Sequence, residues 1–184
     1  MPRHLPLEEL KAGVPHILDS PKDNGELQCI TIRPKHDERQ DVESADISLA
    51  QGVHGDHLAT EECWKKTDDG SPEPDVQICI MNARCIDLIA QERSNWPPAG
   101  DNLFIDMDLT PDNTPPSTRL SIGTAIIEIT AEPHNGCAKL VERYGRDAVV
   151  FVNTGEGKKY RFRGIYARVV QDGKIFVGDR VNKV

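Results

Sequence analysis

At 184 residues, with 38% hydrophobic, 5% aromatic and 28% charged side chains, the chain has the composition of one soluble globular domain long enough to bury a core. Thirty acidic against 22 basic residues give a formal charge of −8, which argues against a general nucleic-acid-binding surface but leaves room for a local basic pocket. No apolar run approaches membrane-spanning length, residues 1–10 lack the apolar core of a secretory signal, and the five cysteines (Cys29, Cys63, Cys79, Cys85, Cys137) form no C-x-x-C pair, so a reduced, cytoplasmic setting without a disulfide framework or a membrane partner is expected.

In chain order, residues 1–26 read as an N-terminal extension ahead of a single domain over 27–184. Residues 27–33 predict an opening strand, stopped by Pro34. A polar stretch over 35–48 leads to a tight loop holding Gly52, His54, Gly55, Asp56 and His57. Clustered ligands in so short a loop rarely converge on one ion without a helix to space them, so Asp56 is read as a cap on backbone amides. Residues 59–75, acidic and rich in Gly, Pro and Asp, predict a surface loop. Residues 76–80 predict a strand, and Asn82 then offers an N-cap for a helix running to about 92, with Cys85, Ile86, Ile89 and Ala90 on its buried stripe. The Trp96-Pro97-Pro98 segment ends it, and Cys79 and Cys85 are read as packing residues.

A turn led by Gly100 precedes a short strand at 102–105, with Asn102 placed either to contact a ligand or to cap its own backbone. After a Pro-, Asp- and Thr-rich loop over 108–118, the runs 119–122 and 125–130 flank Gly123-Thr124 as a tight hairpin. A short helix is predicted over 137–144, closed by Gly145. Residues 149–152 predict a strand apolar on both faces, and 160–170 a long strand that Asp172-Gly173 turns into 174–177. Many short strands with two clear helices imply a mainly β chain with some α, an antiparallel barrel or strongly bent sheet decorated by short helices.

Two features carry chemistry. Cys137 stands between a β-type run and a short helical pattern, where unpaired backbone N–H groups and the helix dipole favour thiolate, and His134 and Lys139 are close in sequence. The spacing of Cys137 with Leu140, Val141 and Tyr144 equally fits a buried structural cysteine. Arg161, Arg163 and Arg168 stand in the long strand; Arg161 and Arg163 share a parity, and a bulge at Gly164 would bring Arg168 round to complete an anion-binding wall. The other reading is a solvated strand face paired with acids.

The order Gly52-x-x-Gly55-Asp56, Gln77 to Ile80 leading into a helix, Gly100-Asp101-Asn102-Leu103, Arg119-Leu120-x-Ile122-Gly123, Pro133-x-x-x-Cys137-x-Lys139-Leu140, and Arg163 to Val169 followed by Val177-Gly178-Asp179 resembles the MOSC domain, over about 27–182. That domain is found at the C-terminus of molybdenum cofactor sulfurases and as stand-alone proteins, and the chain is expected to be a stand-alone member. The resemblance implies a MOSC-type β-barrel of mostly antiparallel strands, binding of molybdenum cofactor (molybdopterin) or a similar anionic ligand, and a sulfur-handling or molybdenum-ligating role for Cys137. It makes Arg163 and Arg168, with Arg161 and Lys139, candidates for the pterin phosphate, and His54, Asp56 and Asn102 candidates for the pocket rim. It departs at His57, where many members carry arginine. The 184 residues include no desulfurase domain and no ferredoxin-like cysteine cluster, so a pyridoxal-phosphate-dependent cysteine desulfurase or an electron-transfer protein is the expected partner. Two further readings stay open: a molybdenum-dependent reductase of N-hydroxylated compounds, and a non-catalytic binding module with a structural cysteine.

Overall fold

A computed structural model describes residues 2–57, 63–136 and 138–184. Seven strands close into a barrel: β1 (Gly25–Ile32), β6 (Leu103–Asp106), β5 (Ile78–Asn82), β9 (Ile165–Gln171), β8 (Ala125–Ile129), β7 (Arg119–Ile122) and β11 (Arg180–Lys183), which returns to β1. All of these pairings are antiparallel except β5 with β6. β2 (Gln40–Val42) extends β1, and β3 (Ser44–Ser48) pairs with β4 (Gly52–Val53) and β10 (Gly173–Phe176) as a separate small sheet.

Strand alternation builds two cores. Inward-facing Ile30, Ile78, Ile80, Leu103, Ile105, Ile127, Ile165, Ala167 and Val169 fill the barrel. Outward-facing Cys29, Met81 and Phe104 pack under a layer of helices, α1 (Leu7–Ala12), α2 (Val14–Leu18), α3 (Ala83–Ala90), α4 (Ala138–Tyr144) and α5 (Arg146–Asn153), through Leu10, Ile17, Ile86, Leu140 and Phe151. A strand covered on both faces is a continuous apolar run, which is why β5 reads Ile-Cys-Ile-Met. The N-terminal helices are thus part of the second core. Asn82 caps α3 as expected, its Oδ1 accepting from the Cys85 amide at 3.0 Å. The hairpin closes at Gly123-Thr124, with Ile122 opposite Ala125.

Three local expectations are overturned. Residues 149–152 lie in α5, not in a strand: Ala148, Phe151 and Val152 form its buried face at helical spacing, and packing on the second core overrides the β-branched run. The strand expected over 160–170 begins only at Ile165, after a short helix α6 (Gly155–Lys159) and a turn in which Arg161 (φ 58°) and Gly164 (φ 111°) are left-handed. A Cβ on Gly164 would lie 2.2 Å from the Ile80 carbonyl oxygen, so glycine is required for the chain to enter the barrel there. The chain does turn before β10, but β10 pairs with β3 rather than folding back on β9. The loop expected over 59–75 is described only from Cys63 onward.

Candidate functional site

Two buried ion pairs stand side by side against the outer wall of the barrel, organised by three consecutive residues. Gly100 takes a left-handed turn (φ 88°) at the end of the Pro97–Ala99 3-10 helix, and Asp101 and Asn102 follow directly into β6. Arg33, at the end of β1, sends Nε to Asp56 Oδ2 at 2.7 Å and Nη2 to Asp56 Oδ1 at 2.9 Å, the two side chains being 8% and 1% exposed. The same guanidinium donates to the Gly100 carbonyl at 2.8 Å, to Asn102 Oδ1 at 2.8 Å and to Cys79 Sγ at 3.6 Å. Asn102 closes the network, donating from Nδ2 to Asp56 Oδ2 at 2.8 Å and accepting from the Cys79 amide at 3.0 Å. The bidentate fork is the geometry that repays burial of a charge. Burial works to lower the Arg33 pKa, but Cys79 and Asp56 together raise it.

The second pair is Arg163 with Asp101, whose carboxylate accepts from Nη1 at 2.9 and 2.8 Å. Burial raises the Asp101 pKa against the pull of Arg163. His134 lies over Tyr166, ring centroids 4.3 Å apart, with Nδ1 3.7 Å from Asp101. Burial, reinforced by Arg163 and Arg33, holds His134 far below the ordinary imidazole range, so its ring is neutral. Burial pushes the Cys79 thiol up to about 11, which keeps it protonated beside Arg33.

A pocket of about 480 Å³ adjoins Gly100, lined by Asp37, Arg39, Asn95, Pro98, Arg143 and Tyr144 among others. Arg39 reaches within 3.6 Å of the position a Gly100 Cβ would take, and its Nε is buried without a hydrogen-bond partner among the described residues. Burial depresses the Arg39 pKa, and Arg143 and Arg33 push the same way. Arg143 stands 3.6 Å from Asp37, which also pairs with Lys139. Arg39, Arg143 and Lys139 thus stand around Asp37, and the further carboxylates whose charge reaches Arg39, Asp56 and Asp101, are already paired with Arg33 and Arg163. Crowded cations with an unsatisfied buried donor are the electrostatic arrangement that a bound anion would relieve.

The family model for the MOSC domain matches residues 52–182. The chain belongs to the MOSC-domain family. Solved structures agree on the fold: this MOSC domain superposes on YuaD from Bacillus subtilis with a TM-score of 0.58 at 17% identity, covering 86% of this chain and 94% of that one. YiiM from Escherichia coli gives 0.54 at 19% identity over 86% and 69% of the two chains, and YiiM from Geobacillus stearothermophilus 0.53 at 16% over 90% and 74%. No curated protein matches in sequence.

The residues singled out from the sequence do not converge on one place in this MOSC domain. Asp56 and Asn102 are in the Arg33 network, and Asp56 clamps a guanidinium rather than only capping amides. Arg163 is in the second pair, and Lys139 is beside Asp37 at the basic pocket. Arg161 belongs to the turn before β9, where Nη1 donates to the Thr114 carbonyl at 2.8 Å. Arg168 and His54 stand elsewhere. Arg168 does not come round to join Arg163: it stays opposite Glu128 in the β8–β9 pairing, donating to Glu128 Oε1 at 2.6 Å and to Asp75 Oδ1 at 3.1 Å. His54 is exposed, its Nε2 2.9 Å from Ser48 Oγ. Cys137 lies outside the described residues. Arg33, Arg39 and Arg143 are the site residues that local sequence signals did not single out, whereas Asp101 entered through the Gly100-led motif and His134 as a neighbour of Cys137.

Among the described residues, no helix is long and apolar enough to cross a membrane.

Proposed function

We propose that this MOSC domain binds an anionic ligand of the molybdenum cofactor class, with its phosphate at the basic pocket beside Gly100, and that Cys137 handles sulfur or ligates molybdenum. The observation that carries the reading is the Arg39–Arg143–Lys139 cluster: three cations around Asp37, with the Arg39 Nε buried and unpartnered among the described residues. A phosphate oxygen would satisfy that donor and offset the cation excess, so the residues present fit the group.

Each part of the chain then has a role. Arg39 and Arg143 hold the ligand's phosphate, with Lys139 shared between it and Asp37. The Arg33–Asp56–Asn102 network, saturated by its own hydrogen bonds, fixes the Gly100 turn and so the position of the pocket wall. Arg163 and Asp101 anchor the other side of the same turn. Cys137 supplies a soft thiolate one residue before α4, the type of ligand that suits both persulfide chemistry and a thiophilic metal. The bound cofactor would contribute the redox- and sulfur-active centre. A cysteine desulfurase is the partner this reading implies, with an electron-transfer protein as the partner if molybdenum stays bound.

The test is to purify the protein from a host that makes the cofactor and to measure molybdenum and sulfane sulfur per chain after gel filtration. Wild type should retain one or both, and Cys137→Ser should retain neither while unfolding at the same temperature. Equal retention by the two proteins contradicts the proposal.

A further inference from the structure

A second pocket, of about 240 Å³, shares no lining residue with the basic pocket and is lined by Glu132, His134, Asn135, Lys158, Arg161 and Arg163 among others. Its charges do not balance. Arg163 is neutralised by Asp101, and Glu132 is paired with Lys65, which leaves Lys158 and Arg161 without a carboxylate partner among the described residues. Arg161 is half-buried, makes one hydrogen bond to a backbone carbonyl, and is held in a left-handed conformation (φ 58°) by the turn that closes from its own carbonyl to the Gly164 amide at 2.8 Å. Desolvating a guanidinium with no counter-charge and straining its backbone both cost stability, and such costs persist where a ligand is to be held.

Two further groups at this pocket lack a hydrogen-bond partner among the described residues. Arg163 Nε and His134 Nδ1 are buried without a hydrogen bond, in side chains only 8% and 5% exposed. Gly164 packs against the imidazole, since a Cβ there would lie 3.2 Å from His134 Nδ1. A buried polar atom without a hydrogen bond is uncommon in folded proteins, and two of them, one a guanidinium N–H, beside two cations without carboxylate partners point to one kind of occupant. We propose that this pocket is a separate binding site for a compact oxyanion group, the carboxylate or phosphate of a small molecule, held by Arg161 and Lys158 with Arg163 Nε and His134 Nδ1 as the inner hydrogen-bonding groups. The inference does not rest on cofactor binding, which uses the other pocket.

The experiment titrates inorganic phosphate, and separately acetate, into the full chain at constant ionic strength set with sodium chloride, and follows the His134 ring resonances by NMR. Saturable movement of those signals by at least one of the two anions is expected, phosphate alone or acetate alone identifying which oxyanion the site takes. Arg161→Gln should weaken that binding about tenfold, the loss of one charge-assisted hydrogen bond, whereas Arg161→Lys should stay within a few-fold of wild type. Lys158→Gln, at an exposed position that leaves the fold intact, should weaken it by a smaller factor. Arg143→Gln should leave the His134 titration unchanged, even where it abolishes cofactor retention. His134 signals that neither anion moves, or an affinity unchanged in both Arg161→Gln and Lys158→Gln, overturn the proposal.

Discussion

Asp101→Asn isolates the energetics of the buried wall. The substitution keeps the shape of the side chain and one acceptor oxygen, but removes the negative charge facing a guanidinium that is only 8% exposed. Arg163 cannot shed its proton, so it becomes an uncompensated buried cation. Breaking such a pair from one side costs about 3–5 kcal/mol, and in a chain of this size each kcal/mol moves the midpoint by about 2–4 °C. The melting temperature should therefore fall by roughly 6–20 °C, and urea unfolding should show a lower midpoint with an unchanged slope. Replacing both partners, Asp101→Leu with Arg163→Met, should recover much of the loss, because the penalty belongs to the orphaned charge rather than to the absent pair. A loss below about 1 kcal/mol for Asp101→Asn would mean that water reaches Arg163, and would refute the reasoning.

Three further outcomes are expected. Gly164→Ala should destabilise the fold by more than about 2 kcal/mol, since it combines a left-handed φ with a Cβ 2.2 Å from the Ile80 carbonyl oxygen; chemical denaturation checks this. Native alkylation with mass-spectrometric readout should label Cys137 rapidly and leave Cys29, Cys79 and Cys85 unlabelled until denaturant is added, because burial raises the pKa of all three; rapid labelling of Cys79 would contradict the buried site. Glu128 is held below its ordinary pKa by Arg119 and Arg168, so its contribution is present above the usual carboxylate range and is lost as pH falls through the folded value. Glu128→Gln should accordingly be less stable than wild type at pH 7, with the gap between the two melting temperatures narrowing as pH falls below the usual carboxylate range; a constant gap would count against the pairing.

The fold was largely legible because its signals are local. The Asn82 cap, the Gly123-Thr124 hairpin and the apolar strands each declare themselves within a few residues, and the ordered MOSC fragments span the barrel. The run 149–152 was not, since Val-Val-Phe-Val satisfies a strand pattern and a buried helix face equally, and only contact with the second core decides between them. The site was half legible. Asp56 and Asn102 stand in glycine-led turns, but the residues that give those turns their purpose are far away in sequence: Arg33 looks like the polar end of a strand, and Arg39 and Arg143 like ordinary surface arginines until the Gly100 turn brings them together. A bulge at Gly164 would have brought Arg168 round, whereas the extra residue is Val170 in β9, opposite Ile126 and Ile127, and Arg168 keeps its cross-strand partner Glu128.

That the basic pocket holds a phosphate-bearing pterin is tested most directly by oxidising purified protein from a cofactor-producing host and quantifying the released fluorescent pterin per chain. Near-stoichiometric pterin from wild type, falling about tenfold or more in Arg39→Gln/Arg143→Gln at unchanged melting temperature, is the expected result. Equal pterin from the two proteins, or none from wild type, would contradict it.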